Sequence, residues 1–477
     1  MLHIFTELSK YILIIMIAIY TFQCFSVFGK KKDEEKVAKI YKRQMIVVFM
    51  IHLICNILII MNEKKMVYFF FYLGQFILLV VIFTTYRKIY ETASNLIVNN
   101  MCMLLSIGFV MLTRLDFNSA FKQFAIAVVG VMITLLIPLI VHKIHIFKRL
   151  SWVYAAIGIA LLGVVAIAGD VSYGAKLSIS FGGISLQPSE FIKILFVIFV
   201  ASMLYKSTEK QQIIKTVVVA LLHIGMLVMS KDLGAALIYF VAYVVMVYAA
   251  TREPKYILAG AGLGAVASVF GYFAFSHVKV RVMAWKDPLS VYSSSGYQVS
   301  NSLFAIGSGG WIGLGLYCGM PDSIPVVKQD FIFAAISEEL GGIFALCVIL
   351  ICASCFLMFM NISMQIRDPF YKLIALGLGT IYATQVILTI GGVTKFIPST
   401  GVTLPLVSYG GSSLLSTLII FAIIQGLYIL RRDEGANNEK KAIRRRNDVE
   451  ESRKRRKINK RRRGGEFDTE ETFEDLD

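Results

Sequence analysis

A chain of 477 residues that is 57% hydrophobic, with a mean hydropathy of +0.70, carries more apolar surface than a soluble domain could cover. That excludes the soluble enzyme and binding-module classes and leaves an integral membrane protein. The net charge of +17 would suit nucleic acid, but much of it follows Arg431. For a chain already in a bilayer, the anionic lipids of the inner leaflet are the expected partner, with no nucleic acid.

Apolar runs long enough to cross a bilayer, about 20 residues each, fall near 11–28, 44–61, 66–86, 98–113, 120–141, 150–168, 189–205, 214–230, 233–251, 256–275, 331–360, 373–391 and 411–430. The first ends in Lys30-Lys31-Lys32 without a small-residue cleavage site, so it is expected to be a retained helix, not a leader. The run at 98–113 is the weakest of the thirteen because it is short. Of the seven cysteines, all but Cys318 lie in apolar runs, where cysteine behaves as a small hydrophobe. No disulfide and no metal framework is implied.

Lys and Arg set the orientation. The loops 29–43, 87–100, 142–149, 206–215, 252–255 and 361–372 hold 19, the alternate set with the N-terminus holds 12, and the tail adds 16 to the first set. The first set and the tail are therefore expected in the cytoplasm, with the N-terminus and the long 276–330 loop outside. That loop mixes charge, serines and glycines with aromatic and β-branched residues, which predicts a folded cap over one membrane face. The tail is basic over 431–463 and acidic over 466–477; neither block can bury a core, and the tail is expected to be disordered in isolation. No internal repeat stands out, which counts mildly against inverted-repeat transporters.

Several polar features interrupt this pattern. Residues 187–193 read Gln-Pro-Ser-Glu-Phe-Ile-Lys and open a span. Pro188 and Glu190 suit a first helical turn, whereas Lys193 inside the run is costly and three residues from Glu190, so the two can pair on one face. A structural ion pair and a functional site are both open on those residues. Lys231-Asp232 reads as a charged turn between two spans, and Arg114, Asp116, Lys122 and Gln123 crowd another. Ser119-Ala-Phe-Lys122 matches a Ser-x-x-Lys pattern by chance, since no companion motif accompanies it. Residues 398–413, with two prolines and three glycines, cannot form one helix, yet they carry almost no charge. Such backbone is tolerated at membrane depth only inside protein or lining a wet cavity.

Asp330 stands directly before Phe331-Ile-Phe-Ala-Ala-Ile. On position alone a helix cap is favoured over a general base. The two roles pull apart: capping lowers a carboxyl pKa, whereas a base needs it raised towards the working pH. Glu338 and Glu339 follow two turns on, with Glu338 nearer the Asp330 face.

Four segments in order, QPSEFIK (187–193), GYQVSNSLFAIGSGGWIGLGL (296–316), DFIFAAISEELG (330–341) and PSTGVTLPLVSYGGSS (398–413), resemble the SEDS family of bacterial cell-wall proteins (FtsW, RodA and SpoVE). The resemblance implies an all-α polytopic membrane protein with a ten-helix core over 98–430, about three extra N-terminal helices within 1–97, a large extracytoplasmic loop at 276–330 and a charged cytoplasmic tail at 431–477. It implies a peptidoglycan glycosyltransferase of the bacterial plasma membrane, serving cell shape or cell division. Its substrate would be lipid II, and its partner a class B penicillin-binding protein. The family's essential aspartate corresponds to Asp330, and its QPSE-x-x-K pair to Glu190 and Lys193. Gln298, Ser408 and Ser412 lie in the other matching motifs and are expected substrate contacts.

Two departures stand out. The family's His-Thr or His-Ser before the aspartate is Lys328-Gln329 here, and its Gly-Ala-x-Arg-Trp is Gly174-Ala-Lys-Leu-Ser178. Lys176 is the expected substitute for that arginine. In the implied reaction a sugar 4-hydroxyl attacks the anomeric carbon of a second lipid-linked disaccharide and expels polyprenyl pyrophosphate. Asp330 would take the proton. Lys328, Lys193, Lys176, Arg281 or a divalent ion such as Mg2+ would meet the leaving group. The competing classes are a lipid II flippase, which would need a polar path to the cytoplasm, and a non-catalytic scaffold.

Overall fold

The computed structural model describes residues 2–29, 34–143, 148–172, 175–181 and 184–432, together with Ser452. The basic and acidic tail blocks therefore fall outside the described residues. Twelve helices among the described residues are long and apolar enough to cross a membrane. A thirteenth, α8 (Pro188–Leu204), has 17 residues, about 26 Å of helix, and occupies the run expected at 189–205.

Three helices come first: α1 (Leu2–Gly29), α2 (Glu34–Glu63) and α3 (Met66–Ile89). α2 and α3 pack on α4 (Asn95–Leu115), the run that looked weakest in the sequence, and α1 packs on α2. At 21 residues α4 is in fact a full-length span and the most enclosed of them, buried on every side over its membrane window. Its polar residues hold the first three helices in place. Tyr20 donates to Asn100 (2.9 Å), and Asn99 donates to Gln44 (2.9 Å). His52 Nδ1 lies 3.0 Å from Ser106 Oγ, and Asn100 also reaches Ser354 (3.2 Å) on α15 (Gly342–Gln365). Apolar burial gains little where lipid is the solvent, so hydrogen bonds of this kind fix which helices neighbour each other.

The chain continues through α5 (Phe117–Thr134), α6 (Ile137–Lys143) and α7 (Ser151–Ala168). A three-stranded antiparallel sheet then intervenes, made by β1 (Asp170–Ser172), β2 (Ala175–Phe181) and β3 (Ile184–Leu186) in the order β1-β2-β3. The sequence reading held no strands. After α8 come α9 (Lys210–Met229), α10 (Leu233–Thr251) and α11 (Lys255–Ala274), the last scarcely covered by protein.

The 276–330 cap is folded, with α12 (Ser276–Lys286), α13 (Tyr297–Gly309) and a 3-10 turn at Pro321–Ser323. The span expected at 331–360 is two helices. The short, buried α14 (Ile332–Leu340) ends at Gly341, whose φ of 95° breaks the rise before α15 begins. α13 packs directly on α14, close enough that a side chain at Gly309 would collide with the Ser337 carbonyl and the Glu338 backbone. α16 (Pro369–Val393) and α17 (Gly411–Arg432) complete the bundle, separated by non-helical backbone over 394–410, so that no single helix runs through 398–413.

Candidate active site

Beneath the cap lies a cavity of about 1210 Å³, larger than the ~300–1,000 Å³ of ordinary small-molecule pockets. Its wall is drawn from α5, the β2–β3 region, the start of α8, the α9–α10 turn, α12, α13, the segment before α14 and the 399–413 stretch. Widely separated segments thus meet at one site.

Asp330 lines this cavity and is half-buried. It does not cap α14. Phe331 occupies the N-cap position, and no side chain caps the helix there. Among the described residues no hydrogen bond or ion pair holds the carboxylate. Burial raises its pKa to about 6, and the nearby Arg281 guanidinium opposes that shift only in part. This is the direction a base requires and the opposite of a cap.

Arg281, on α12, also lines the cavity and donates to the Ser399 carbonyl at 3.3 Å. Burial lowers its pKa, while Asp330 and Asp232 act the other way. Gly401, with φ of 75°, lies beside both groups: a Cβ there would be 3.4 Å from Arg281 Nη2 and 3.6 Å from Asp330 Oδ2.

Glu190 and Lys193 do pair, at 2.5 Å. Glu190 reaches the cavity, and its carboxylate also accepts from Ser416 at 2.8 Å. Lys193 is buried behind it and donates to Gln385 (3.0 Å), whose amide in turn donates to the Thr403 carbonyl (3.1 Å). The lysine therefore braces the non-helical segment and does not itself line the cavity. Thr389 donates to Val402 O (2.9 Å) and Gln123 to Ser408 O (3.0 Å), which satisfies buried backbone that no helix can serve.

The other expected contacts divide. Gln298 and Ser412 line the cavity, and the Ser412 hydroxyl accepts from Gln187 N at 2.9 Å. Ser408 is buried, and its hydroxyl accepts from Leu404 N (2.9 Å), so it shapes the loop instead of facing the cavity. Lys176 is turned away as well: its ammonium donates to the carbonyls of Ala166 (3.1 Å) and Ile167 (2.7 Å) at the end of α7. A lysine there answers unsatisfied helix-end carbonyls. Its neighbours Leu177 and Ser178 are the residues on the cavity wall. Lys328 is also engaged elsewhere, paired with Asp116 at 2.7 Å and 3.3 Å from Ser119 Oγ. That hydrogen bond is the main reason the Asp116 pKa falls to about 2. The Ser119 hydroxyl donates to Asp116, so Ser119 and Lys122 are not a catalytic pair.

The Lys231-Asp232 turn, read as ordinary in the sequence, belongs to the site. Both residues line the cavity, as do Lys122 and His277. Asp232 accepts from Ala235 N (3.1 Å), capping α10, and from Ser189 Oγ (3.2 Å); burial raises its pKa. Nothing in the local sequence separates such a turn from a solvated one. Glu338 and Glu339 lie elsewhere: Glu338 accepts from Met320 N (3.0 Å), and Glu339 pairs with Arg114 (3.0 Å).

The family model described as a cell cycle protein, FtsW/RodA/SpoVE, matches residues 88–432. The peptidoglycan glycosyltransferase RodA of Mycobacterium tuberculosis (strain H37Rv) is 34% identical over 351 residues, covering 68% of this chain and 75% of that protein. The probable peptidoglycan glycosyltransferase FtsW of Bacillus subtilis is 32% identical over 295 residues, covering 57% and 72%. A chain from a solved peptidoglycan synthase complex superposes with a TM-score of 0.60 at 21% identity, covering 72% of this chain and 98% of that one. The rod-shape-determining protein RodA of Thermus thermophilus superposes with a TM-score of 0.53 at 21% identity, over the same shares. With the motifs gathered round one cavity and the fold shared, the chain belongs to the FtsW/RodA/SpoVE family of membrane proteins.

Proposed function

We propose that this chain is a peptidoglycan glycosyltransferase that polymerises lipid II, with Asp330 as general base. One observation carries the assignment of the base: a carboxylate without a hydrogen-bond or ion-pair partner among the described residues, its pKa raised to about 6, on the wall of a large cavity. It can accept the acceptor's 4-hydroxyl proton as that oxygen attacks the anomeric carbon. Attack opposite the pyrophosphate turns an α-linked donor into a β-linked product in one displacement. Arg281 stands next to the base and supplies positive charge to the departing pyrophosphate, with Lys122 and Lys231 on the same wall. Glu190, Gln298 and Ser412 are placed to contact the sugars, and Lys193 holds Glu190 in position.

The described residues gather no group of three or more His, Cys, Asp or Glu that could hold a metal ion. A divalent ion such as Mg2+ could be shared between a cavity carboxylate and the pyrophosphate, and no step is routed through one.

The cavity face is outside the cell in this proposal, with the N-terminus on the same side and the tail in the cytoplasm. Thr6 of α1 lies against Gly315 of the cap, whereas the far ends of α15 and α17 meet where Arg431 donates to Gln365. Below Lys193 the buried face of α8 is Ile194, Phe196, Val197, Phe199 and Val200, which favours an outward-facing enzyme over a flippase with a polar path. Residues 1–97 would be an extension of the core, and a class B penicillin-binding protein the partner. Purified protein incubated with lipid II, with and without that partner, should yield glycan chains resolvable by length. Transbilayer movement of lipid II without chains would overturn the proposal.

A further inference from the structure

We propose that α1 and α2 act as a positioning element for the Asp330 segment, and that Tyr317 is the residue through which they do so; this rests on the catalytic role given to Asp330 above. Tyr317 has φ of 70°, in the left-handed region that a bulky aromatic rarely adopts, so its surroundings must hold it there. Three elements do. Its hydroxyl donates to Glu63 Oε1 (3.0 Å), the last residue of α2. Its ring lies 4.3 Å from the guanidinium carbon of Arg114, at the end of α4. Its backbone N–H donates to Glu339 Oε1 (3.2 Å) on α14, the same oxygen that Arg114 Nη2 meets at 3.0 Å.

The loop around Tyr317 encloses the end of α14. Leu314 N and Gly315 N donate to the carbonyls of Glu338 and Glu339, each at 2.9 Å, and Met320 N donates to Glu338 Oε1 at 3.0 Å. On its other side Thr6 of α1 sits close enough that a Cβ on Gly315 would lie 2.9 Å from Thr6 Cγ2. The opposite end of α14 begins two residues after Asp330. A nine-residue helix gripped at one end and carrying the base at the other transmits any shift of its grip, because a packed helix moves as a unit. The hydrogen bond from Tyr317 to Glu63 is thus the point at which the N-terminal helices set where the base stands.

The test uses full-length protein in detergent or nanodiscs, with steady-state lipid II polymerisation and thermal unfolding measured on each variant. Tyr317→Phe keeps the ring over Arg114 and the backbone contact and removes only the hydroxyl. Its kcat should fall about tenfold with KM within twofold of wild type, as expected when a base is displaced and binding is not. Glu63→Ala should show the same loss, Glu63→Gln should retain wild-type kcat because its amide oxygen still accepts, and Tyr317→Phe with Glu63→Ala should be no worse than either alone. Per-molecule turnover of Tyr317→Phe within twofold of wild type, with or without a lower melting temperature, would overturn the proposal, as would additive losses in the double variant. Inactive wild-type protein would instead count against the polymerase assignment itself.

Discussion

Asp330 and Arg281 flank Gly401 within reach of each other's charge, yet no direct ion pair joins them among the described residues. A tight pair would hold the carboxylate ionised and weakly basic. The looser arrangement leaves burial dominant, so the carboxyl pKa stays near 6, in the range that suits the proposed base.

Replacing Asp330 by Asn separates base from scaffold. The side chain caps no helix, so the Asn variant should fold with a melting temperature close to wild type. Glycan synthesis should fall by about 10²-fold or more, the scale expected for a lost base. Lipid II binding should survive, because removing a negative charge does not weaken an anionic ligand. A folded Asn variant that polymerises normally would remove Asp330 from the chemistry.

The pH dependence follows from the same carboxyl. A base with a pKa of about 6 is protonated and inactive below it, so kcat/KM should rise with pH through about 6 with unit slope. Stability should respond in the opposite sense. The native state holds this proton to higher pH than the unfolded chain, so Asp330's contribution declines between the ordinary carboxyl range and about 6. A pH–rate profile with no limb near 6 would contradict the assignment.

Arg281→Ala should act on both functions of the guanidinium. Removing the guanidinium charge that lowers the Asp330 pKa should move the acid limb above 6. Turnover on the plateau should drop by about 10²-fold as the leaving group loses its cation. An unchanged limb in a folded variant would show that the two groups do not interact.

Lys193→Ala should chiefly affect folding. It leaves Glu190 without its buried cation and Gln385 without its donor, and losing one partner of a buried pair costs about 3–5 kcal/mol. Lys193→Met combined with Glu190→Gln should regain much of that stability, as read by thermal unfolding, while activity stays low because Glu190 faces the cavity. A stable single Ala variant would show that the pair does not brace the segment.

Cys318 is exposed and the other six cysteines are buried. A membrane-impermeant thiol reagent applied to intact cells should label Cys318 alone, while a cysteine introduced after Arg432 stays protected. Labelling of the introduced cysteine from outside would invert the topology.

The sequence by itself determined the class, the family and the spans apart from 331–360, which divides into α14 and α15. Runs of about 20 apolar residues admit little besides helices in lipid, and the four motifs are specific in identity and order. It also showed that 398–413 could not form one continuous helix and that Glu190 and Lys193 could pair, because both follow from local geometry. Tertiary structure decided what each polar residue faces. Position alone favours a cap for Asp330; what argues for a base is its surroundings, and those come from α12 and the 399–401 stretch, far away in the chain. Lys176 and Lys328 were plausible cations by position, but one answers the end of α7 and the other Asp116. Lys231 and Asp232 looked like an ordinary turn, and only the packing of α8 and α12 beside them makes that turn a cavity wall. Charge and local conformation are written in neighbouring residues; desolvation and partner choice depend on segments that folding brings together.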